Sequence, residues 1–330
     1  MATEKEKAIA EAMKQLNKKH GQSTVMTMDD TNRISIQAVS TGCFALDRIF
    51  GCGGLPRGRI IELFGAESSG KSTLAMFLVA QIQKTGGKAV LVDAEFAFSS
   101  DYAEKIGVDV ASLIVSQPST GEEALDIVDK MAATHGIDII VVDSVAALVP
   151  EKELEGEIGD VGMAQQARLM SKGMRVLAGN ISKTNTVVIF INQVREKVGV
   201  FFGNKDVTPG GKALKFFASV RLEVKKGDKI KDKSDGVIGN WLKICGVKNK
   251  VGFPWKTAEL EIIFEKGIDI EGAMLDSAVE FGYVEKNGSS YVYGETKLGV
   301  GRENARNFLI ENPDVAQAIN KKLYETDKEL

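Results

Sequence analysis

Residues 65–73 form a short glycine-rich segment whose composition and spacing suit phosphate binding. The segment reads Gly65-Ala66-Glu67-Ser68-Ser69-Gly70-Lys71-Ser72-Thr73, which matches the pattern G-x-x-x-x-G-K-[ST]. Its glycines allow backbone N–H groups to turn inward around phosphate oxygens. Lys71 would reach the β- and γ-phosphates of a nucleotide, and the Ser72 hydroxyl would ligate Mg²⁺. The whole segment is therefore predicted to line a nucleotide phosphate site.

Two carboxylates follow apolar runs further along the chain. Asp143 comes directly after residues 137–142, so its carboxylate would orient the water shell of Mg²⁺, with Ser72 as the other metal ligand. Glu95 lies just beyond residues 88–92 and could hold a water in line with the γ-phosphate and accept its proton. Ligands of doubly wound sheets meet the carboxyl ends of the strands, which favours one shared site. A turn-capping aspartate and a solvated glutamate are the alternatives.

Asn192 and Gln193 follow another apolar run, residues 187–191. A side-chain amide here can hydrogen-bond a γ-phosphate oxygen and also the loop that follows, which makes it a candidate switch between ATP and ADP states. A strand-end cap is the alternative.

The next segment, residues 194–212, interleaves basic residues with aromatic residues and glycines. This composition is typical of contacts to single-stranded nucleic acid, and a flexible loop with incidental lysines is the alternative.

The hydrophobic pattern predicts the elements that must position these groups. Apolar strands alternate with helical runs through the first two thirds of the chain, which indicates a mostly parallel sheet covered on both faces. Three strands without helices follow Ala218, and we expect them to extend the sheet in antiparallel fashion. Residues 1–20 have apolar residues at helical spacing and no sequence neighbour to pack on, so this helix could dock on another subunit. We predict three parts: residues 1–33, 34–268 and 269–330.

Composition narrows the class of protein. The chain has 330 residues, 44% of them apolar and 26% charged, which is ordinary for a globular protein. No apolar run reaches the roughly 18 to 20 residues of a membrane span, and the charged N-terminus lacks a signal-peptide core, so we expect a cytoplasmic protein with no membrane partner. Three cysteines without CxxC spacing indicate free thiols in a reducing compartment. The only two histidines lie in polar stretches, which argues against a histidine-based zinc site and a serine–histidine triad. With a net charge of −3, nucleic-acid binding must come from local basic segments.

A series of linked motifs extends the comparison beyond the phosphate loop. They are Ser40-Thr41-Gly42, Gly53-Gly54-Leu55-Pro56, residues 65–73, Val92-Asp93-Ala94-Glu95, residues 141–147, residues 155–160, residues 190–195, residues 210–216 and Val247-Lys248-Asn249-Lys250. In this order they cover nearly the whole chain and resemble the bacterial RecA recombinases. The resemblance implies an α/β fold: a RecA-like P-loop ATPase core with a mostly parallel central sheet, an N-terminal oligomerisation helix and a small α+β C-terminal domain.

The resemblance also implies an activity and its partners. Proteins of this family polymerise on single-stranded DNA as an ATP-bound filament, pair it with homologous double-stranded DNA and exchange strands. They hydrolyse ATP with Mg²⁺ as they cycle, and the filament promotes self-cleavage of an SOS repressor. These properties are expected of this chain in so far as its residues match.

Individual roles follow from matching positions. Glu95 matches the catalytic carboxylate, Gln193 the γ-phosphate sensor and Tyr102 the residue that stacks on adenine, whereas Lys248 and Lys250 match lysines that reach ATP across the subunit interface. The implied catalytic set is Glu95, Lys71, Gln193, Lys248 and Lys250, whereas Tyr102 belongs to the implied nucleotide-binding set. The implied primary DNA site comprises Met163, Arg168, Ser171, Arg175, Arg195, Lys197, Val198, Gly210 and Gly211. The implied secondary site for duplex strands comprises Lys225, Lys226 and Lys243, and Lys286 and Arg302 match basic positions that gather duplex DNA.

Some positions depart from the family pattern. Phe96 stands where most relatives have histidine, Ser99 replaces the usual aspartate near the adenine, Glu196 adds a negative charge to the DNA loop, and Cys245 takes a position that is often lysine. Two other functions remain as alternatives. A ring-shaped helicase on the same core would need a further N-terminal domain, for which residues 1–33 are too short. A non-enzymatic DNA-coating filament would need ATP binding but not turnover.

Overall fold

The computed structural model describes residues 3–21, 24–27, 36–156, 165–196, 206–232 and 234–327, which fall into two compact units, 1–36 and 37–330. The first unit contains helix α1, Glu4–His20, as the sequence predicts. Thr3 and Glu6 form a reciprocal capping box at its N-terminus, which satisfies two of the N–H groups that a helix start leaves unpaired. Beyond its C-terminus the Asn17 amide bonds both the N–H and the C=O of Val25. None of the side chains of α1 is buried.

The second unit carries the remaining helices and all of the described strands. Its helices are α2 Phe44–Phe50, α3 Lys71–Lys84, α4 Ser100–Ile106, α5 Gly121–Ala133, α6 Glu151–Leu154, α7 Gln165–Ile181, α8 Ala213–Phe217, α9 Ile270–Glu280, α10 Arg302–Glu311 and α11 Pro313–Asp327. Its strands are β1 Ala38–Val39, β2 Leu55–Pro56, β3 Ile60–Gly65, β4 Ala89–Asp93, β5 Ile114–Ser116, β6 Ile139–Asp143, β7 Val187–Gln193, β8 Arg195–Glu196, β9 Asp206–Val207, β10 Val220–Lys231, β11 Val237–Asn249, β12 Thr257–Ile263, β13 Gly267–Ile268, β14 Glu285–Asn287, β15 Ser290–Tyr293 and β16 Thr296–Val300.

The central sheet has nine strands in the order β13-β12-β11-β10-β3-β7-β6-β4-β5. The strands from β10 to β5 are parallel, and β11, β12 and β13 are antiparallel extensions. The expectation that all three strands after Ala218 would be antiparallel is therefore wrong for the first of them, because β10 lies parallel to β3, with Val220 opposite Ile61. The segment between β7 and β10, which includes α8, crosses back over the sheet, so the chain re-enters it in the same direction.

Helices cover both faces of the parallel strands, which explains why most residues of β3, β4, β6 and β7 are apolar. The face under α3 buries residues such as Leu63 and Leu91, and the opposite face under α5 and α7 buries residues such as Val142 and Phe190. The last helices and the three-stranded sheet β14-β15-β16 share a third core, which Phe44 of α2 joins. The fold is the α/β class that the sequence predicts, with its mostly parallel sheet and small C-terminal α+β part.

Strand register decides where the polar segments lie. Gly65 pairs with Gln193, and Asp93 pairs with Asp143, so the parallel strands β3, β7, β6 and β4 end at the same edge. The phosphate loop, Glu95, Asp143 and Gln193 all follow this edge, as the sequence predicts. The sheet thus delivers the candidate groups to one place.

Candidate nucleotide and nucleic-acid site

The phosphate loop joins β3 to α3 through two positions that only glycine fits. At Gly65 a Cβ atom would lie 2.1 Å from the Val224 carbonyl oxygen of neighbouring β10. Gly70 has a φ of +92° and a Cβ there would meet Leu242 and Ile262, so the residue must be small and left-handed. The turn delivers Lys71 as the first residue of α3. The N-terminus of this helix, with its partial positive charge, therefore faces the loop.

The Lys71 ammonium is enclosed by its own loop. Its Nζ donates to the carbonyl oxygens of Ala66, at 2.6 Å, and Gly65, at 3.2 Å, and lies 3.4 Å from the Ser69 hydroxyl. Burial lowers the pKa of Lys71, while Asp143 and other nearby carboxylates act in the opposite direction. The side chain is thus a cation held inside a ring of oxygens, ready for exchange with phosphate oxygens.

Ser72 and Asp143 lie together at the mouth of the loop. The Ser72 hydroxyl donates to Oδ2 of Asp143 at 2.6 Å. Burial raises the pKa of Asp143 to about 6, and the charge of Glu95 adds to the rise, although the Ser72 hydrogen bond opposes it. A half-buried carboxylate beside a hydroxyl offers hard oxygen ligands, which are those that Mg²⁺ prefers. The residues present therefore fit the expected metal.

Glu95 is held by contacts from two neighbouring strand ends. Its Oε1 accepts hydrogen bonds from the Ser144 hydroxyl and from Nε2 of Gln193, the latter at 3.1 Å. The backbone N–H of Glu95 donates to the Asp143 carbonyl at 3.2 Å. Buried Asp93 holds the following turn by accepting from the backbone N–H groups of Ala97 and Phe98, both at 3.2 Å, and from the side chain of Gln117 at 2.9 Å. The carboxylate that the sequence singles out thus touches the amide that it singles out as a sensor.

Two cavities adjoin these groups. One of about 140 Å³ is lined by Ser72, Glu95 and Asp143, and one of about 350 Å³ extends from residues 68–73 past Tyr102. The Tyr102 hydroxyl lies 2.9 Å from that of Thr73, which fixes the ring beside the phosphate loop. The predicted nucleotide residues are thus brought together around one connected region of the surface.

Sequence reasoning missed part of this site. Ser144, which holds Glu95, was visible only as the residue after Asp143 and had no spacing signal of its own. The far wall of the 350 Å³ cavity contains Asn240 and Trp241 of strand β11 and Phe264 of the turn after β12. These residues lie more than 130 positions from Tyr102, so only the strand order brings them to the nucleotide loop.

The implied primary DNA residues divide between described and undescribed parts of the chain. Met163, Lys197 and Val198 lie outside the described residues, and for Arg195 the structure describes the backbone in β8 only. Arg168, Ser171 and Arg175 lie at positions i, i+3 and i+7 of α7, and hence on one side of that helix. Gly210 and Gly211 pack beside this helix: the Gly210 N–H donates to the Gln166 side chain at 3.2 Å, and a Cβ on Gly211 would lie 3.0 Å from that of Ala167. The two glycines therefore pack on the helix that carries the other three residues.

The implied secondary site is only partly assembled. Lys225 of β10 lies directly opposite Lys243 of β11, and each forms an ion pair at 3.0 Å, with Glu223 and Glu259 respectively. Lys226 instead lines the 350 Å³ cavity beside the phosphate loop, because consecutive residues of a strand point to opposite faces of the sheet. The structure therefore groups Lys225 with Lys243 and separates Lys226 from them.

Arg302 is occupied by contacts within the chain. Its guanidinium bonds Asp276 at 2.8 Å and Glu261 at 2.9 Å and stacks over Trp241 at 5.2 Å from the ring centroid. These contacts join α10 to the central sheet. They account for an arginine at this position without any contact to DNA. Lys286, by contrast, is exposed beside Tyr291.

Lys248 and Lys250 lie away from the nucleotide cavities of their own subunit. Lys248 Nζ donates to the carbonyl oxygens of Lys215, at 2.7 Å, and Phe216, at 2.9 Å, and Lys250 Nζ donates to that of Phe216 at 3.2 Å. Burial lowers the pKa of Lys248 to about 8, and the nearby Lys250 and Arg221 charges contribute. Both lysines thus bind the end of α8 in this structure.

A cavity larger than these two lies elsewhere. It measures about 680 Å³ and lies between α5 and α7, with Arg168 and Lys172 on its wall. Its lining does not include the phosphate loop, so cavity volume alone would not select the candidate nucleotide site. Among the described residues, no helix has the length and apolar character needed to cross a membrane.

Comparisons with known proteins agree with this fold. The family model of the RecA N-terminal domain matches residues 7–269, and that of the RecA C-terminal domain matches residues 272–327. The chain is 51% identical to Protein RecA of Mycobacterium sp. (strain KMS) over 98% of its length and 93% of the relative's. It is also 51% identical to Protein RecA of Leifsonia xyli subsp. xyli (strain CTCB07), over 97% of its length and 89% of the relative's. The crystal structure of the RadB recombinase has a similar fold, with a TM-score of 0.51 and 23% identity over 69% of this chain and 97% of that one.

The fold and the site define a P-loop nucleotide-binding protein whose sheet extends into antiparallel strands. The family models and the relatives then identify the chain as a member of the RecA family. It is accordingly a DNA-dependent ATPase of recombination and repair that binds DNA and forms filaments.

Proposed function

We propose that the nucleotide is ATP with Mg²⁺ and that its hydrolysis cycles a filament which pairs single-stranded DNA with a homologous duplex and exchanges strands. The observation that carries this proposal is the hydrogen-bonded junction of Glu95 with Gln193, one strand away from the Ser72–Asp143 pair. A base, a sensor amide and a metal-binding pair at one sheet edge are the parts that phosphoryl transfer to water requires.

In this mechanism each residue acts on a defined atom. Glu95 accepts the proton of the attacking water, and Ser144 orients the carboxylate from behind. Lys71 exchanges its loop carbonyl contacts for oxygens of the β- and γ-phosphates, which neutralises their charge. Ser72 and Asp143 would hold Mg²⁺, which when bound neutralises charge that develops on the phosphate oxygens. Tyr102, whose hydroxyl lies 2.9 Å from that of Thr73, would stack on the base of the nucleotide.

Gln193 would exchange its hydrogen bond to Glu95 for one to the γ-phosphate, and thereby free the base. Lys248 and Lys250 would leave the end of α8 and reach the nucleotide of a neighbouring subunit, since both lie away from the cavities of their own. Binding would then join subunits, and hydrolysis would release them.

For DNA, we assign the primary strand to the surface around α7, Gly210 and Gly211, together with the loop residues that the family pattern implies. Lys225 and Lys243 form the more compact part of the secondary site, because they face each other across two strands. Residues 1–33 are assigned to polymerisation, 34–268 to the ATPase and DNA-binding core and 269–330 to a C-terminal domain. We also assign to the filament the promotion of SOS repressor self-cleavage, and to the protein a cytoplasmic location.

The test is ATP hydrolysis with and without single-stranded DNA over a range of salt concentrations. We expect single-stranded DNA to stimulate hydrolysis strongly and the stimulation to fall as the salt concentration rises. Lysine and arginine side chains that bind DNA phosphates displace counterions, so the affinity for DNA decreases with salt. Turnover indifferent to DNA would refute the proposed strand contacts. Incubation of the DNA-bound filament with a purified SOS repressor tests the last assignment, and uncleaved repressor would refute it.

A further inference from the structure

Three polar side chains are buried side by side under α8. Glu62 and Asn192 have no exposed surface, and Arg221 is 7% exposed. Glu62 pairs through one carboxylate oxygen with Arg221 and accepts a hydrogen bond at its other oxygen from the Asn192 amide at 3.0 Å. We refer to these residues as the Glu62–Asn192–Arg221 cluster.

The geometry of the cluster is tightly determined. A buried ion pair is stable only where geometry and additional hydrogen bonds compensate for the lost water. Here the Arg221 guanidinium also stacks on Phe64, 4.3 Å from the ring centroid, directly before the phosphate loop. Arg221 lies opposite Glu62 on one neighbouring strand and opposite Lys248 on the other. Glu62 and Arg221 therefore have little freedom to move alone.

Asn192 connects this cluster to residues 194–212, the segment proposed to bind single-stranded DNA, which we call the DNA loop. Its Nδ2 donates not only to Glu62 but also to the Pro209 carbonyl at 3.3 Å. Pro209 lies at the exit of the loop, immediately before Gly210, while Asn192 lies at its entry, immediately before Gln193. The short ribbon of β8 and β9, with Arg195 opposite Val207, also holds entry and exit together. The buried Asn192 amide thus connects the exit of the loop to strand β7. The next residue of this strand, Gln193, contacts Glu95.

The second end of the same amide has no partner in the part of the chain that the structure describes. The Asn192 Oδ1 atom is buried without a hydrogen bond there. An unsatisfied buried acceptor is costly, and it is relieved when a donor arrives. The amide is therefore suited to a second arrangement of the loop as well as to this one.

We propose that Asn192 is a positioning residue that couples DNA binding to ATP hydrolysis, through its simultaneous hold on Glu62 and on the Pro209 carbonyl. A strand of DNA that rearranges the loop moves Pro209, and the amide transmits this movement to β7, where Gln193 controls Glu95. The charged pair of Glu62 and Arg221 is the fixed support against which the amide moves. This inference rests on the proposed roles of Gln193 and of the loop.

The first variant is Asn192→Ala, which removes both hydrogen bonds. Its side chain lines neither nucleotide cavity, so hydrolysis without DNA is expected to stay within about twofold of wild type. Stimulation at saturating single-stranded DNA is expected to fall about tenfold, within the 5- to 150-fold range typical of coupling between sites. DNA affinity is measured separately, so that weak binding is not read as lost stimulation.

A charge-preserving exchange separates the two hydrogen bonds. In the double variant Asn192→Asp with Glu62→Gln, the amide and carboxylate change places, one negative charge remains beside Arg221, and the bond between positions 62 and 192 can form in reverse. An aspartate cannot donate to the Pro209 carbonyl, so stimulation should still be lost. If Asn192→Ala does not fold, stimulation of hydrolysis in this double variant tests whether the bond to the Pro209 carbonyl is needed.

Arg57→Ala is the matched control. It breaks a partly buried ion pair with Asp138, at 2.8 Å, near the opposite ends of the strands. Selective loss of stimulation in the cluster variants, with a normal response in the control, would support the proposal. Full stimulation in the variants would overturn it, as would a parallel fall of basal and stimulated hydrolysis. A wild-type protein that DNA does not stimulate would overturn the proposed function as well, which distinguishes the two failures.

Discussion

Replacing Glu95 with glutamine tests the assignment of the base most directly. Glutamine has the same length, and its side-chain oxygen can still accept the hydrogen bonds that Ser144 and Gln193 donate to Oε1. The exchange therefore preserves the hydrogen-bonded junction and removes only the negative charge and the ability to accept a proton. A purely structural role for Glu95 would survive it.

The expected loss follows from the chemistry that is removed. A positioned general base contributes about 10²- to 10⁴-fold to the rate. At about 1.36 kcal/mol for each factor of ten, this amounts to roughly 2.7 to 5.4 kcal/mol in the barrier. ATP affinity should not fall, because Glu95 forms no hydrogen bond to residues 65–73 in this structure and its charge opposes that of the phosphates. We expect kcat to drop at least 100-fold while filaments still form on single-stranded DNA.

The measurement is steady-state hydrolysis at saturating ATP and DNA, with ATP binding and filament assembly followed in parallel by fluorescence and light scattering. Glu104→Gln, at an exposed position of α4, is the matched control and should behave as wild type. If Glu95→Gln retained kcat within fivefold of wild type, Glu95 would not be the base. Loss of ATP binding in this variant would equally contradict the reasoning.

Three further predictions concern binding, stability and thiol chemistry. Lys71→Ala should weaken ATP binding at least 100-fold, since the only enclosed cation of the phosphate loop is lost, and calorimetric titration with unchanged affinity would refute it. Tyr324→Phe should lower the free energy of unfolding in urea by about 1.5 to 3 kcal/mol, because its hydroxyl donates to the buried Asp47 carboxylate at 2.6 Å; Tyr293→Phe is the control, and equal losses would contradict the account. Burial raises the pKa of Cys43 to about 12, so about 10⁻⁴ of it is thiolate at pH 8, and a disulfide reagent should label it only after urea unfolds the protein. Rapid labelling of native Cys43 would show that the residue is not buried.

The grouping of the candidate nucleotide residues could be predicted because these residues are carried by short, local patterns. Lys71 and Ser72 belong to one motif, and Glu95, Asp143 and Gln193 each follow a run of apolar residues that forms a buried strand. Parallel strands end at a common edge, so local patterns were enough to assemble a distant group of residues. The family resemblance then supplied roles that the patterns alone left open.

Strand direction and side-chain face were harder to predict. The run at residues 220–224 alternates as a strand, but its sequence does not say whether it pairs with β3 or in which direction, and the crossover decided both. Lys225 and Lys226 look equivalent in sequence. The strand places Lys225 opposite Lys243 and turns Lys226 toward the nucleotide cavity, because the side-chain period of a strand is two residues. Periodicity could have separated them, but not shown which side faced the nucleotide.

The least predictable contacts join residues that are far apart in sequence and polar in a buried setting. Glu62 and Arg221 are 159 positions apart, and Asp47 and Tyr324 are 277 apart. In both cases the charged residue lies among apolar ones, where a sequence pattern suggests a strand or helix face and nothing more. A buried carboxylate is tolerated only where the fold brings donors to it, so such a residue marks a place where distant segments must meet correctly. Asp47 fixes α11 to α2, whereas Glu62 holds the Asn192 amide, which contacts Pro209 at the end of the segment that we propose binds DNA. The first contact predicts a loss of stability when it is broken, and the second predicts a loss of communication, which is why the two require different measurements.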